Sequence, residues 1–107
     1  MRRIFTIAAL CVSVSAGAAS FEEPIDYIPS ALGSYEWKIT TDEEMAQAYF
    51  KQGMQLRWAY NVDEAARSMA EARRVDPECA MCYWGEAFAL GSFLNGVMSE
   101  EKGPFAH

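Results

Sequence analysis

The rhythm of apolar positions changes twice along the chain and divides it into three stretches. Met1-Arg2-Arg3 is a basic head, Ile4 to Val14 is an apolar run, and Ala16-Gly17-Ala18-Ala19 is a small-residue stretch. That order predicts a secretory signal peptide over residues 1–19, with cleavage after Ala18 or Ala19 both meeting the small-residue rule. The run is shorter than the roughly 20 apolar residues of a membrane-spanning helix. Residues 20–40 form an irregular lead-in. Pro24 and Pro29 forbid a regular helix there. Leu32 to Ile39 mixes aromatic and β-branched residues without helical period, which predicts an extended segment docked onto the first helix.

From Thr40 the period becomes helical. Thr40 or Thr41 is placed to cap, with Glu43 or Glu44 three residues on. Asp42-Glu43-Glu44 sets negative charge at the positive end of the helix dipole. Met45, Tyr49, Gly53, Leu56 and Tyr60 recur at three- and four-residue steps, one helix face ending at Asn61, which tolerates the left-handed conformation. A second helix begins near Asp63-Glu64, with Ala65, Met69, Ala72 and Val75 as its buried stripe and Arg67, Glu71, Arg73 and Arg74 mostly away from it. Asp76 is placed to cap a third helix with Pro77 in its first position. That helix runs through Cys82, Trp84, Ala87 and Leu90 and is ended by Gly91 and Asn95-Gly96. The tail, Val97 to His107, reads as the opening of another helix. The predicted fold class is all-α, with the helical region over residues 41–107.

The small and bulky positions keep a further register. Ala65, Met69, Ala72 and Pro77 follow Gly53 by 12, 16, 19 and 24 residues. This spacing resembles the tetratricopeptide (TPR) unit of about 34 residues, a helix-turn-helix whose pattern places small residues at the closest helix approach and proline at the turn into the next unit. One full unit falls near residues 46–79, with Tyr49 and Leu56 at its remaining signature positions, and a partial second unit over 80–107. Gln52 stands where leucine is usual, Leu56 where tyrosine is usual, and Met69 where an aromatic is usual. In the second unit Tyr83 matches Tyr49, Ala87 matches Gly53 and Leu90 lies near the position of Leu56, but Ser99 departs from the small-residue pattern and implies a longer loop.

Ala59-Tyr60-Asn61-Val62-Asp63-Glu64-Ala65-Ala66, followed by Asp76-Pro77-Glu78-Cys79-Ala80-Met81-Cys82-Tyr83-Trp84-Gly85, resembles a group of exported bacterial TPR proteins over residues 31–98. The resemblance implies a helical solenoid segment that binds a protein or peptide partner. By that analogy Gln47, Lys51, Gln55 and Trp58, on the first helix, line the partner groove. One unit and a third helix leave Tyr83, Trp84, Phe88, Phe93 and Leu94 on or near an uncovered edge. The expectation is an N-terminal portion of a longer repeat protein, with self-association through that edge as the alternative.

The charge balance narrows the partners. The net charge is −6, and after loss of Arg2 and Arg3 seven basic residues face 15 acidic ones, a net of −8. Such a field repels nucleic acid and anionic membrane surfaces, so neither is an expected partner after signal cleavage. Cys11 lies inside the signal, with Leu10 before it where lipoprotein signals carry a small residue. Cys79 and Cys82 remain, spaced C-x-x-C near a helix start, where the dipole lowers thiol pKa values. A disulfide is compatible with an oxidising compartment. Residues three apart on a helix hold their Cβ atoms about 5–6 Å apart, whereas a disulfide needs about 3.5–4.5 Å. The bond therefore requires the first turn to adjust, and the pair reads as structural, either reduced and packed or bridged. Tyr83 in place of histidine removes the haem-attachment reading. Two thiols and His107 fall short of a zinc set, while copper(I) is compatible with Cys79, Met81 and Cys82. With the sole histidine at residue 107, no rigid Ser-His or Cys-His pair is expected. No catalytic residue, metal or cofactor is therefore expected. The function so read is an exported protein-binding adaptor, periplasmic or extracellular. The competing reading is a periplasmic thiol-disulfide or copper(I)-handling protein using Cys79 and Cys82.

Overall fold

Three helices follow one another with short turns: α1 (Glu44–Trp58), α2 (Val62–Val75) and α3 (Ala80–Leu90). The structure is a computed structural model and describes residues 20–29 and 32–106, so the signal-peptide reading of residues 1–19 falls outside it, as does His107. A single 3-10 turn at Gly103–Phe105 stands in the tail where another helix was expected to open. Among the described residues the only β-type pairing is an isolated bridge between Phe93 and Gly96, so the protein is all-helical. No helix of the described residues is long and apolar enough to cross a membrane.

α1 buries Ala46, Phe50, Gln52, Gly53, Met54, Leu56 and Arg57. This face is rotated from the expected one: Met45 and Tyr60 are exposed and Tyr49 is half-buried, whereas Phe50 and Met54 are fully covered. α1 ends one residue earlier in role than expected. Tyr60, not Asn61, takes the left-handed conformation, at φ 66°. Its N–H donates to Arg57 O at 3.3 Å and the Asn61 N–H to Leu56 O at 2.9 Å. These two bonds satisfy the last carbonyls of the helix and offset the cost of a left-handed tyrosine. The Tyr60 ring also meets Phe93 edge-on at 4.7 Å.

The expected caps shift for the same reason, that side chains found longer-range partners. Glu43 occupies the N-cap of α1 without a side-chain cap bond. Thr41 accepts from the Glu43 N–H at 3.2 Å and donates its hydroxyl to Asp76, joining the start of α1 to the end of α2. Asp76 is thus the C-cap of α2, and its other carboxylate oxygen accepts from the Glu78 N–H at 3.1 Å. That turn absorbs Pro77, so α3 starts at Ala80 with Cys79 as N-cap rather than at Pro77.

α1 and α2 run antiparallel, because the Thr41–Asp76 bond closes one end and the three residues 59–61 close the other. α3 returns alongside α2, held by Arg73 Nε to Glu86 Oε2 at 2.5 Å, and so runs parallel to α1. Where the three helices meet, Met69 of α2 lies between two glycines. A Cβ built on Gly53 meets three Met69 atoms at 2.8–2.9 Å, and one built on Gly85 meets the Met69 sulfur at 2.6 Å and Phe50 Cε2 at 3.0 Å. Both glycines are there because the Met69 side chain fills their side-chain space. Ala65 and Ala72 are fully buried on the same stripe of α2. The close-packing position of α3 is therefore Gly85, two residues before the expected Ala87.

Arg57 is also fully buried. It sits in the last turn of α1, where its Nε donates to Phe88 O at 3.3 Å and one Nη donates to Ser92 O at 3.0 Å and Gly91 O at 3.5 Å. The guanidinium lies 4.0 Å from the Phe93 ring centre and 5.1 Å from that of Phe88. A cation here meets the free carbonyls at the negative end of α3. Burial lowers its pKa from the usual arginine value.

Candidate functional site

Three glutamines of α1 hold the lead-in: Gln47 and Gln55 on its outer face, and Gln52 beside Gly53 on the buried one. Gln47 accepts from the Ile39 N–H at 2.9 Å and donates to Trp37 O at 3.0 Å. Gln55 donates to Tyr35 O at 2.7 Å and Gly33 O at 3.4 Å. Gln52 accepts from the Ile28 N–H at 2.7 Å and donates to Asp26 O at 3.0 Å and to the Ser68 hydroxyl of α2 at 3.1 Å. Arg67 of α2 donates to Glu23 O at 2.7 Å and to Pro24 O. Each of these bonds to the lead-in reaches a main-chain group. An extended chain has both donors and acceptors free, so paired side-chain amides satisfy it without requiring a particular sequence.

Side chains of the lead-in add anchors. The Trp37 ring packs edge-on to Phe50 of α1 at 6.3 Å and against Trp84 of α3 at 5.7 Å, so it bridges the two parallel helices. Trp84 stacks on Phe88 at 5.1 Å and 5°, and Phe88 meets Trp58 at 6.3 Å. The result is a continuous aromatic line beside the glutamine row. Tyr27 packs on Tyr49 at 5.9 Å, so the lead-in covers part of Tyr49. At the far end, Leu32, Tyr35, Gln55 and Trp58 surround an open hollow of about 460 Å³.

Of the four groove residues read from the sequence, Gln47 and Gln55 are engaged by the lead-in, Trp58 is 56% exposed at the hollow, and Lys51 is half-buried between them. The signature positions Gly53, Leu56, Ala65, Met69 and Ala72 are buried together, while Pro77 is exposed in the turn. Tyr83, Trp84 and Leu94 are exposed as expected for the uncovered edge; Phe88 and Phe93 are half-covered, because Arg57 lies over both rings. Sequence reasoning missed Gln52, Arg57, Arg67 and Trp37. The one sequence signal for Gln52 was its departure from leucine on a buried face.

Cys79 and Cys82 form a disulfide with Cα atoms 5.3 Å apart. The bond fits because Cys79 is not helical: as N-cap it is extended, at φ −75° and ψ 93°, and this brings its sulfur back over the first turn. Its sulfur also accepts from the Cys82 N–H at 3.1 Å. Both cysteines are buried, at 2% and 0% exposure. Among the described residues no group of three or more His, Cys, Asp or Glu side chains is arranged to hold a metal ion. Ion pairs stitch the outside: Arg73 with Glu86, Arg74 with Glu71, and Lys102 with Asp63. The Glu86 hydrogen bond raises the pKa of Arg73, and the Glu71 hydrogen bond raises that of Arg74.

No protein-family model, curated protein or solved structure matches the chain. The fold and site therefore define a class by their own geometry: a small all-helical protein whose first helix grips extended main chain.

Proposed function

We propose that this chain is a TPR-type helix-pair module, exported from the cell, that binds extended segments of partner proteins and catalyses no reaction. The observation that carries the reading is the outer row of α1, where Gln47 and Gln55 hold the main chain of residues 33–39 beside an aromatic line. Main-chain hydrogen bonds give such a surface affinity, and neighbouring pockets for side chains give it specificity. The repeat reading is supported by an antiparallel pair closed at Gly53, Ala65, Met69 and Ala72, with a third helix parallel to the first, the order in which stacked helix pairs succeed one another. The thiol and copper(I) readings have less support. A redox cysteine must be reached by its substrate, and both sulfurs are buried and joined.

The test is a screen of the full chain against short extended peptides, with the triple variant Gln47→Leu/Gln55→Leu/Trp58→Ala alongside. Binders are expected to lose about tenfold or more in affinity in the variant, roughly 1.4 kcal/mol. Cys79→Ser/Cys82→Ser is expected to leave their affinity unchanged at a temperature where the chain stays folded. Equal binding to parent and triple variant sinks the proposal.

A further inference from the structure

Residues 32–39 run along the surface that the preceding proposal assigns to a partner, and they make the contacts a partner segment needs. Their main chain satisfies both ends of the Gln47 amide and the donor end of Gln55. Their largest side chain, Trp37, bridges α1 and α3 yet stays 41% exposed, while Leu32 and Ile39 rest half-buried against the core. A segment that served only as part of the core would bury its anchor. Tyr35, 55% exposed, leaves the hollow at Trp58 open instead of filling it. Residues 24–28, by contrast, are tied to Gln52, which is 1% exposed, and to Arg67 on α2. The first part of the lead-in is thus tied to a buried amide, and the second part to half-buried ones.

We propose that residues 32–39 are a resident pseudo-ligand, held in cis on the α1 glutamine row, and that a partner binds by displacing them. This rests on the reading of the row as a partner site and names its ligand class: an extended peptide with an aromatic anchor for the Trp37 position and an apolar side chain for the hollow at Trp58. A tethered segment competes at an effective concentration on the order of millimolar. Partner affinity measured on the intact chain is therefore reduced by the fraction of time the row is free.

The test uses a fluorescein-labelled peptide with the sequence of residues 32–39, added in trans to the full chain. The parent is expected to bind it weakly. Trp37→Ser, which removes the resident anchor, is expected to bind it about tenfold tighter or more. Ile39→Pro, which removes the N–H donated to Gln47 but truncates no ring, is expected to act in the same direction and stands in if Trp37→Ser loses helicity by circular dichroism. Adding Gln47→Leu and Gln55→Leu to either loosened chain is expected to abolish binding. Equal affinity in the parent and in a loosened chain of unchanged helicity overturns the pseudo-ligand. If other peptides still depend on the glutamine row in that case, the partner-site reading survives. If no peptide of any sequence responds to the row variants, that reading falls as well.

Discussion

The side of α1 that carries Gly53 and the side that carries Gln47 and Gln55 both hold neighbouring chain, by opposite means. On the first, Met69 fills the space above two glycines so closely that a single added carbon overlaps it. That contact is shape against shape and gains stability from excluded water and dispersion. On the second, amides meet main chain at 2.7 to 3.4 Å, with exposed rings alongside. Such hydrogen bonds exchange for bonds to water and contribute only about 1 kcal/mol each. One helix therefore has a face that fixes the fold and a face that can let go. The difference teaches where to look for exchange with a partner: along the polar seam.

The strongest way to break the comparison is Gly53→Leu. Its side chain has no volume to enter, since Met69 is fully buried and held against Gly85 and Phe50. Overpacking of this degree costs about 3 kcal/mol or more, and loss of the cooperative thermal transition is expected. Gly53→Ala sharpens the point. Alanine favours the helix by about 1 kcal/mol over glycine, but the overlap with Met69 offsets that gain. Combined with Met69→Ala, the alanine at residue 53 is expected to turn from neutral or harmful to stabilising. Additive effects in that double-mutant cycle would show that the two residues do not share one space.

Next in size is Arg57→Ala, at about 3 kcal/mol. It removes the guanidinium from over the Phe88 and Phe93 rings and the donor from three carbonyls at the end of α3 and just beyond it. Arg57→Met keeps most of the stem and loses the guanidinium with its hydrogen bonds and its charge, whose burial was itself costly. Its expected cost is about 1 kcal/mol, read from denaturant melts. An equal cost for both variants would mean that the carbonyl bonds, not the packing, give Arg57 its value.

These two sites also mark what was legible in the sequence. Gly53, Ala65, Met69 and Ala72 could be read because close helix approach demands small residues at fixed steps, and the structure buries all four. Gly85 was passed over in favour of Ala87, which lies 34 residues after Gly53, whereas the glycine that meets Met69 lies 32 after it. Arg57 was illegible because its partners are main-chain oxygens 31 to 35 residues away, which leave no trace in side-chain pattern. The same holds for the glutamines. Gln47 and Gln55 were chosen for a groove, and what they hold is the chain's own backbone. The docking of the lead-in was foreseen from its lack of period, but not the means of docking.

The disulfide tests whether the helical seam needs a covalent clamp. Closing a loop of four residues removes little unfolded-chain freedom, so Cys79→Ser/Cys82→Ser is expected to cost about 2 kcal/mol. A melting temperature lower by roughly 10 °C follows for a chain of this size. Peptide affinity at a temperature where the variant is folded is expected to be unchanged, because neither sulfur reaches the glutamine row or the aromatic line. A variant of unchanged melting temperature that had lost peptide binding would reverse this and move function to the cysteines.

The smallest effect is the most discriminating. Gln47→Leu with Gln55→Leu deletes four hydrogen bonds to the lead-in, all solvent-exposed or partly so. The expected change in global stability is about 1 kcal/mol or less, because water replaces each bond. Locally the change is concentrated. The Ile39 N–H loses the acceptor it has among the described residues, and a 1 kcal/mol easier opening corresponds to about fivefold faster hydrogen exchange. The Phe50 amide, inside α1 and on the buried face, is expected to keep its rate. If Phe50 speeds up together with Ile39, the lead-in and the helix open as one unit, and the polar seam is as much a part of the fold as the seam at Met69.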